Sequence, residues 1–128
     1  MRHKKKRATQ IAAWAQKRSL IIRNLITNLV THWAIQTTSK RAKALQATAD
    51  SFFSKLVRCY SMYSEWDVRR EQIRRVKEVI TTSDAWIKLV DTMLPKWNEE
   101  DKAFWFVQTL KLWNRAGDNA QKVLVRIQ

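Results

Sequence analysis

Between residues 15 and 32 the apolar side chains Ile21, Ile22, Leu25, Ile26, Leu29 and Val30 recur at helical spacing and form one stripe. Lys17, Arg23, Asn24 and Thr27 lie away from it. Ala34 to Thr38 is short, β-branched and bounded by polar residues, which predicts a strand. Ser39 is placed to cap a following helix, and Ala42, Leu45, Ala49, Phe52, Leu56, Cys59 and Tyr63 then step by three and four along it. A further helix is expected over about 68–80, with Ile73, Val76 and Ile80 inward. Another is expected over about 84–94, capped by Ser83 and ended before Pro95.

Beyond a polar loop from Asn98 to Lys102, the run Phe104 to Leu112 predicts a strand, and Val123, Val125 and Ile127 alternate with Lys122, Leu124 and Arg126 in a last one. Asn114 to Asn119 is dense in turn residues, so these two strands form a hairpin. The expected fold is therefore α+β and two-layered. Its order is helix, strand, three helices, two strands, with a small sheet packed under the helices. Residues 1–14 are expected as a basic arm and residues 15–128 as a single globular domain.

Charge changes this picture from a fold to a function class. The chain of 128 residues has a formal net charge of +14. Residues 1–49 hold eleven Lys and Arg and no acid, because Asp50 is the first carboxylate; the remainder sets fourteen bases against eleven acids. A block of one sign repels itself unless a dense polyanion neutralises it. Phosphate neutralisation is the direct role of such residues, through counterion release. The candidates for contact with such a phosphate polyanion, RNA or DNA, are Arg2, His3, Lys4, Lys5, Lys6, Arg7, Lys17, Arg18, Arg23, Lys40, Arg41 and Lys43. Arg69, Arg70, Arg74 and Arg75 alternate with Glu71 and Glu78 and read instead as a solvated face.

Catalysis has little to stand on. His3 and His32 are the only histidines and Cys59 the only cysteine, so neither a triad, a metal cluster nor an internal disulfide is visible. Cys59 reads as a small buried apolar residue. No phosphate-binding glycine loop exists, no run is long and apolar enough to span a membrane, and the basic start lacks the apolar stretch of a secretory signal. No cofactor, metal, membrane or small-molecule substrate is expected, and the cytoplasm is the expected compartment. Two other readings use the same charges. One is a DNA-binding, nucleoid-type protein; the other is a peripheral membrane protein anchored by the helix at 15–32.

Several segments resemble one bacterial family. Met1-Arg2-His3-Lys4, Arg18 with Arg23-Asn24-Leu25, Leu29-Val30-Thr31-His32, Thr37-Thr38 before Arg41-Ala42-Lys43, and Arg115 to Ala120 are similar, in order, to the bacterial large-subunit ribosomal protein numbered seventeen. The resemblance covers nearly the whole chain. It implies a structural, non-enzymatic constituent of the large subunit, near the peptide exit on the solvent side. It also implies large-subunit ribosomal RNA and neighbouring ribosomal proteins as partners. Asn24, His32, Thr37, Thr38, Lys111 and Arg115 are further candidate RNA-binding residues, although ladder pairing competes at Thr37 and Thr38, His32 near a helix end reads more readily as a cap or packed surface residue, and Arg115 has RNA or a neighbouring protein open to it. Two segments depart from the family. Ile11 to Lys17 replaces its arm spelling, and Phe104 to Gln108 stands where it has Gly-Gly-Tyr-Thr-Arg, so the arginine expected at Gln108 is missing.

The chain has one glycine and seven tryptophans. Trp33, Trp66, Trp105 and Trp113 fall where the resemblance implies glycine, at places expected to be a helix end, an inter-helix turn and two strand ends. UGA codons that the source reads as glycine, translated as tryptophan, would leave this pattern; core or RNA-stacking tryptophans are the other reading. Trp86 fits a core stripe, while Trp14 and Trp97 have no clear counterpart in the family.

Overall fold

The computed structural model describes residue 11 and residues 15–128. The arm candidates Arg2, His3, Lys4, Lys5, Lys6 and Arg7 lie outside the described residues. Helix α1 spans Ala15–His32 and passes through Trp33 directly into strand β1, Ala34–Thr38. Helix α2, Ser39–Met62, comes next with no intervening loop, and α3 spans Glu65–Lys77. A continuous helical stretch then comprises α4 (Ser83–Lys88), a π-helical turn (Leu89–Met93) and α5 (Leu94–Glu99). Strands β2, Val107–Asn114, and β3, Gln121–Ile127, complete the described chain.

The sheet has the order β1-β3-β2 and both pairings are antiparallel. Ile35 faces Val125 and Thr38 faces Lys122 across the first pair; Thr109 faces Val125 across the second. A bulge leaves Leu112 and Trp113 of β2 opposite Lys122 alone, since Lys111 pairs with Val123 and Asn114 with Gln121. Period-2 alternation puts Val123, Val125 and Ile127 on the buried face. The helices cover that face, giving the two-layer α+β arrangement.

The core joins Ile26, Leu29 and Val30 of α1 to Leu45, Ala49, Phe53 and Leu56 of α2, and to Val76, Leu89, Leu94 and the sheet. The ring centroids of Phe53, Trp97 and Phe106 lie 5.1, 6.2 and 4.8 Å apart, within the range of favourable tilted packing. Trp97 also donates its indole N–H to the Gln128 carbonyl at 3.3 Å. Ile22, Leu25, Ile26, Leu29 and Val30 of the α1 stripe thus pack into the domain, and among the described residues no helix is long and apolar enough to cross a bilayer.

Several expected details are corrected. Thr38, with extended backbone, is the N-cap of α2, and Ser39 is its first helical residue. Phe53 takes the core position expected for Phe52, which is half-buried, and Tyr63 is exposed where α2 turns into extended backbone. The helix expected at 68–80 begins earlier, at Glu65, because Glu65 and Asp67 suit its positive end, and Arg74, Arg75 and Lys77 crowd its last turn. That places Trp66 in the first turn of α3 rather than between helices. Pro95 does not end its helix. The widened π turn precedes it, and Pro95 falls in the first turn of α5, where a missing N–H costs least. The penultimate strand starts at Val107 rather than Phe104, because Trp105 has φ 63° and breaks the extended run. Thr27, placed off the stripe, is 4 % exposed. Its hydroxyl donates to the Arg23 carbonyl at 2.8 Å and accepts the Thr81 N–H at 3.3 Å.

Candidate nucleic-acid interface

The junction between β1 and α2 sets the geometry. With no loop between them, Thr37 and Thr38 end the strand and Arg41 lies in the first helical turn. No side chain caps this helix start and no acid occupies its first turn, while Lys40, Arg41 and Lys43 are exposed there. The free N–H groups and the positive end of the helix dipole therefore share a surface with cations, an arrangement that favours an anion.

Two further cations reach the same place from the sheet. Lys122 of β3 is the register partner of Thr38. Arg115 comes from the turn between β2 and β3, which is closed by Arg115 N–H on the Ala120 carbonyl at 2.8 Å and Asn119 N–H on the Arg115 carbonyl at 3.0 Å. Together Gln36, Thr37, Thr38, Arg41, Arg115, Ala120, Gln121 and Lys122 line a shallow cleft of about 310 Å³. Three of these eight residues are cationic and none is acidic. Arg115 is oriented by Asp118: its Nε donates to that carboxylate at 2.8 Å and its Nη2 also does so. That pairing holds the Asp118 carboxyl well down, at about 2, with a hydrogen bond from the Ala120 N–H helping.

Other expected residues lie apart from the cleft. Arg18 and Arg23 of α1 border a groove of about 560 Å³ between α1 and α2, lined also by Ala44, Ala47 and the buried Ile11. Lys17 and Asn24 are exposed on α1, His32 is exposed at its end, and Lys111 is exposed on β2. Three of the four arginines of α3 are engaged with carboxylates. Arg69 pairs with Asp91 at 2.7 Å, Arg74 with Glu71 and Glu78 at 2.6 and 3.1 Å, and Arg75 with Glu71 at 2.8 Å.

Lys122 and Gln121 of the cleft were not among the expected site residues. The alternation of β3 carries the signal for Lys122, because whichever face buries Val123 leaves Lys122 and Arg126 on the other. Arg126 matters for Gln108 as well. The two are register partners, and Arg126 Nε donates to Gln108 Oε1 at 2.8 Å. A cation therefore stands beside the position where the family arginine is missing.

The described residues contain no group of His, Cys, Asp and Glu side chains placed to hold a metal ion. Residues 21–128 match the family model for ribosomal protein L17. The chain belongs to the ribosomal protein L17 family. Its relatives include the large ribosomal subunit protein bL17 of Metamycoplasma arthritidis, 30% identical over 82% of this chain and 84% of that protein. The bL17 proteins of Thermotoga neapolitana and Syntrophotalea carbinolica are 30% and 28% identical, each over 99% of this chain and over 94% and 74% of their own lengths. Membership of the L17 family gives the chain a structural rather than an enzymatic role in the ribosome, in the bacterial cytoplasm. This L17-family chain thus presents its cationic cleft where β1 runs into α2, away from the ion-paired α3 face.

Proposed function

We propose that this chain binds large-subunit ribosomal RNA by neutralising backbone phosphates, and that the cleft at the start of α2 is its central contact. The observation that carries this reading is the convergence of Arg41, Arg115 and Lys122, from a helix, a turn and a strand, on an uncapped helix start lined by no acid. Thr37 and Thr38 supply hydroxyls beside these cations for phosphate or ribose. Lys40 and Lys43 extend the cationic surface along α2, and Lys17, Arg18, Arg23 and Asn24 form a second one on α1. Residues 1–14, with Arg2, His3, Lys4, Lys5, Lys6 and Arg7, act as an RNA-binding arm beside the globular domain at 15–128. Recognition is of shape and backbone rather than base sequence. His32 and Lys111 lie at the margins, where RNA or neighbouring ribosomal proteins of the large subunit meet the domain.

The test is a salt titration of binding to large-subunit RNA. A variant carrying Arg41→Gln and Lys122→Gln should lose about 1.4–1.8 units from the slope of log affinity against log salt, because two phosphate contacts go. Arg74→Gln, on the ion-paired face, should leave the slope where it is. An unchanged slope in the double variant, or equal competition by duplex DNA, overturns the reading.

A further inference from the structure

The tryptophans of the described residues fall into two groups. Trp97 is 1 % exposed in the centre of the core, and Trp86 is half-buried against it. Trp33, Trp66, Trp105 and Trp113 are 38, 91, 74 and 82 % exposed, and the last three are the most exposed of the large apolar side chains among the described residues. Tryptophan is the residue with most apolar surface to hide, so a fold that solvates most of these rings gains nothing from them.

The backbone separates the groups further. Four non-glycine residues among those described have positive φ: Trp33 at 65°, Asp101 at 52°, Trp105 at 63° and Asn119 at 58°. Asp and Asn tolerate that region through local side-chain bonding; a bulky aromatic residue carries a steric penalty at its Cβ. Trp33 cannot relax, because its N–H is bonded to the Leu29 carbonyl at 2.8 Å and its carbonyl to the Ile127 N–H at 2.9 Å. It closes α1 in the left-handed conformation that glycine supplies at helix ends. Trp105 is fixed by its two successors in the chain: Phe106 is fully buried and the Val107 N–H is held by Asp50 at 2.9 Å. Trp113 lies in the β2 bulge. The single glycine, Gly117, does not use a positive φ. One ring contact runs the other way, Lys88 Nζ lying 4.8 Å from the Trp33 ring centroid, but Lys88 is anchored without it by a 2.8 Å bond to the Thr31 carbonyl.

We infer that the cell making this protein places glycine at positions 33, 66, 105 and 113, by decoding UGA as glycine, whereas Trp86 and Trp97 are encoded tryptophans. Such decoding also raises the count from one glycine to five, closer to the roughly nine that average usage would put in a chain of this length. Its effect on the surface is to remove four exposed indoles, one of them two residues before Arg115 of the cleft.

The gene and the natural protein test it together. The four codons should read UGA and those at 86 and 97 UGG. Peptide sequencing and intact mass of the protein isolated from its own cells should show glycine at the four positions and indoles at 86 and 97. Tryptophan at any of the four overturns the inference there, and at all four overturns it outright. In the chain carrying tryptophan at these positions, Trp33→Gly and Trp105→Gly should each raise the folded-to-unfolded ratio by roughly tenfold, the scale of one relieved left-handed residue. A fall in that ratio for both variants counts against the backbone argument.

Discussion

Thr27 is a polar side chain that the core accepts because its hydroxyl is used twice, as donor to the Arg23 carbonyl and as acceptor from the Thr81 N–H. Replacing it by the isosteric valine leaves the Thr81 N–H without that partner. Thr27→Val should therefore destabilise by about 1–3 kcal/mol in urea unfolding, despite adding apolar surface. Trp97 is the opposite kind of residue, a large ring buried against Phe53 and Phe106. Trp97→Ala should cost about 3–5 kcal/mol, a large share of the roughly 5–15 kcal/mol that holds a domain folded, and should lower the urea midpoint far more than Thr27→Val. Far-ultraviolet dichroism and a urea midpoint read both. Neither residue is conspicuous in the sequence, because what decides each is a partner far along the chain. Phe52 and Phe53 make the same point. Steps of three or four reach either, and only the Trp97 and Phe106 rings select Phe53.

At the level of elements, hydrophobic spacing located α1, β1, α2 and β3 closely, and it failed where local backbone chemistry took over. Pro95 reads as a stop until a π turn precedes it, and the strand from Phe104 reads as continuous until a positive φ interrupts it. Helix α3 carries its own electrostatic logic. Arg74 and Arg75 bond Glu71 and lower its carboxyl from 4.5 to about 2, and Asp118 is lowered from 3.8 to about 2 by Arg115. Both carboxylates favour the folded state in full above their ordinary values, and that contribution is lost as pH falls toward 2. Asp50 runs against them: burial raises its carboxyl, opposed by the Val107 and Phe106 N–H groups and by Lys102, so its ionisation weakens folding as pH rises through that range. Acid unfolding should accordingly be less steep in a Glu71→Gln, Asp118→Asn variant, measured as urea midpoints between pH 5 and 2. Curves that superimpose would refute the assignment.

For the whole molecule, charge is organised rather than merely abundant. The acids lie beyond residue 49, and several of them are tied to the α3 arginines or the Val107 N–H, away from the cleft lining and the exposed side of α1; Asp118 meets the cleft, where it pairs with Arg115. This much was legible in the sequence as a block of one sign. The meeting of Arg41, Arg115 and Lys122 was not, because it depends on the register that sets Thr38 against Lys122. If the arm and the cleft bind one RNA, reversing the charges of Lys4, Lys5 and Lys6 should reduce incorporation into large subunits while leaving the unfolding midpoint unchanged. Full incorporation would rule the arm out as an RNA contact.

The sheet order β1-β3-β2 has a consequence for synthesis. Its middle strand is the last to be made, so neither outer strand has a neighbour to bond until residues 121–127 have cleared the exit tunnel. Until then the nascent chain carries two unpaired ladders and the apolar undersides of its helices into a crowded cytosol, the condition in which chaperones matter most.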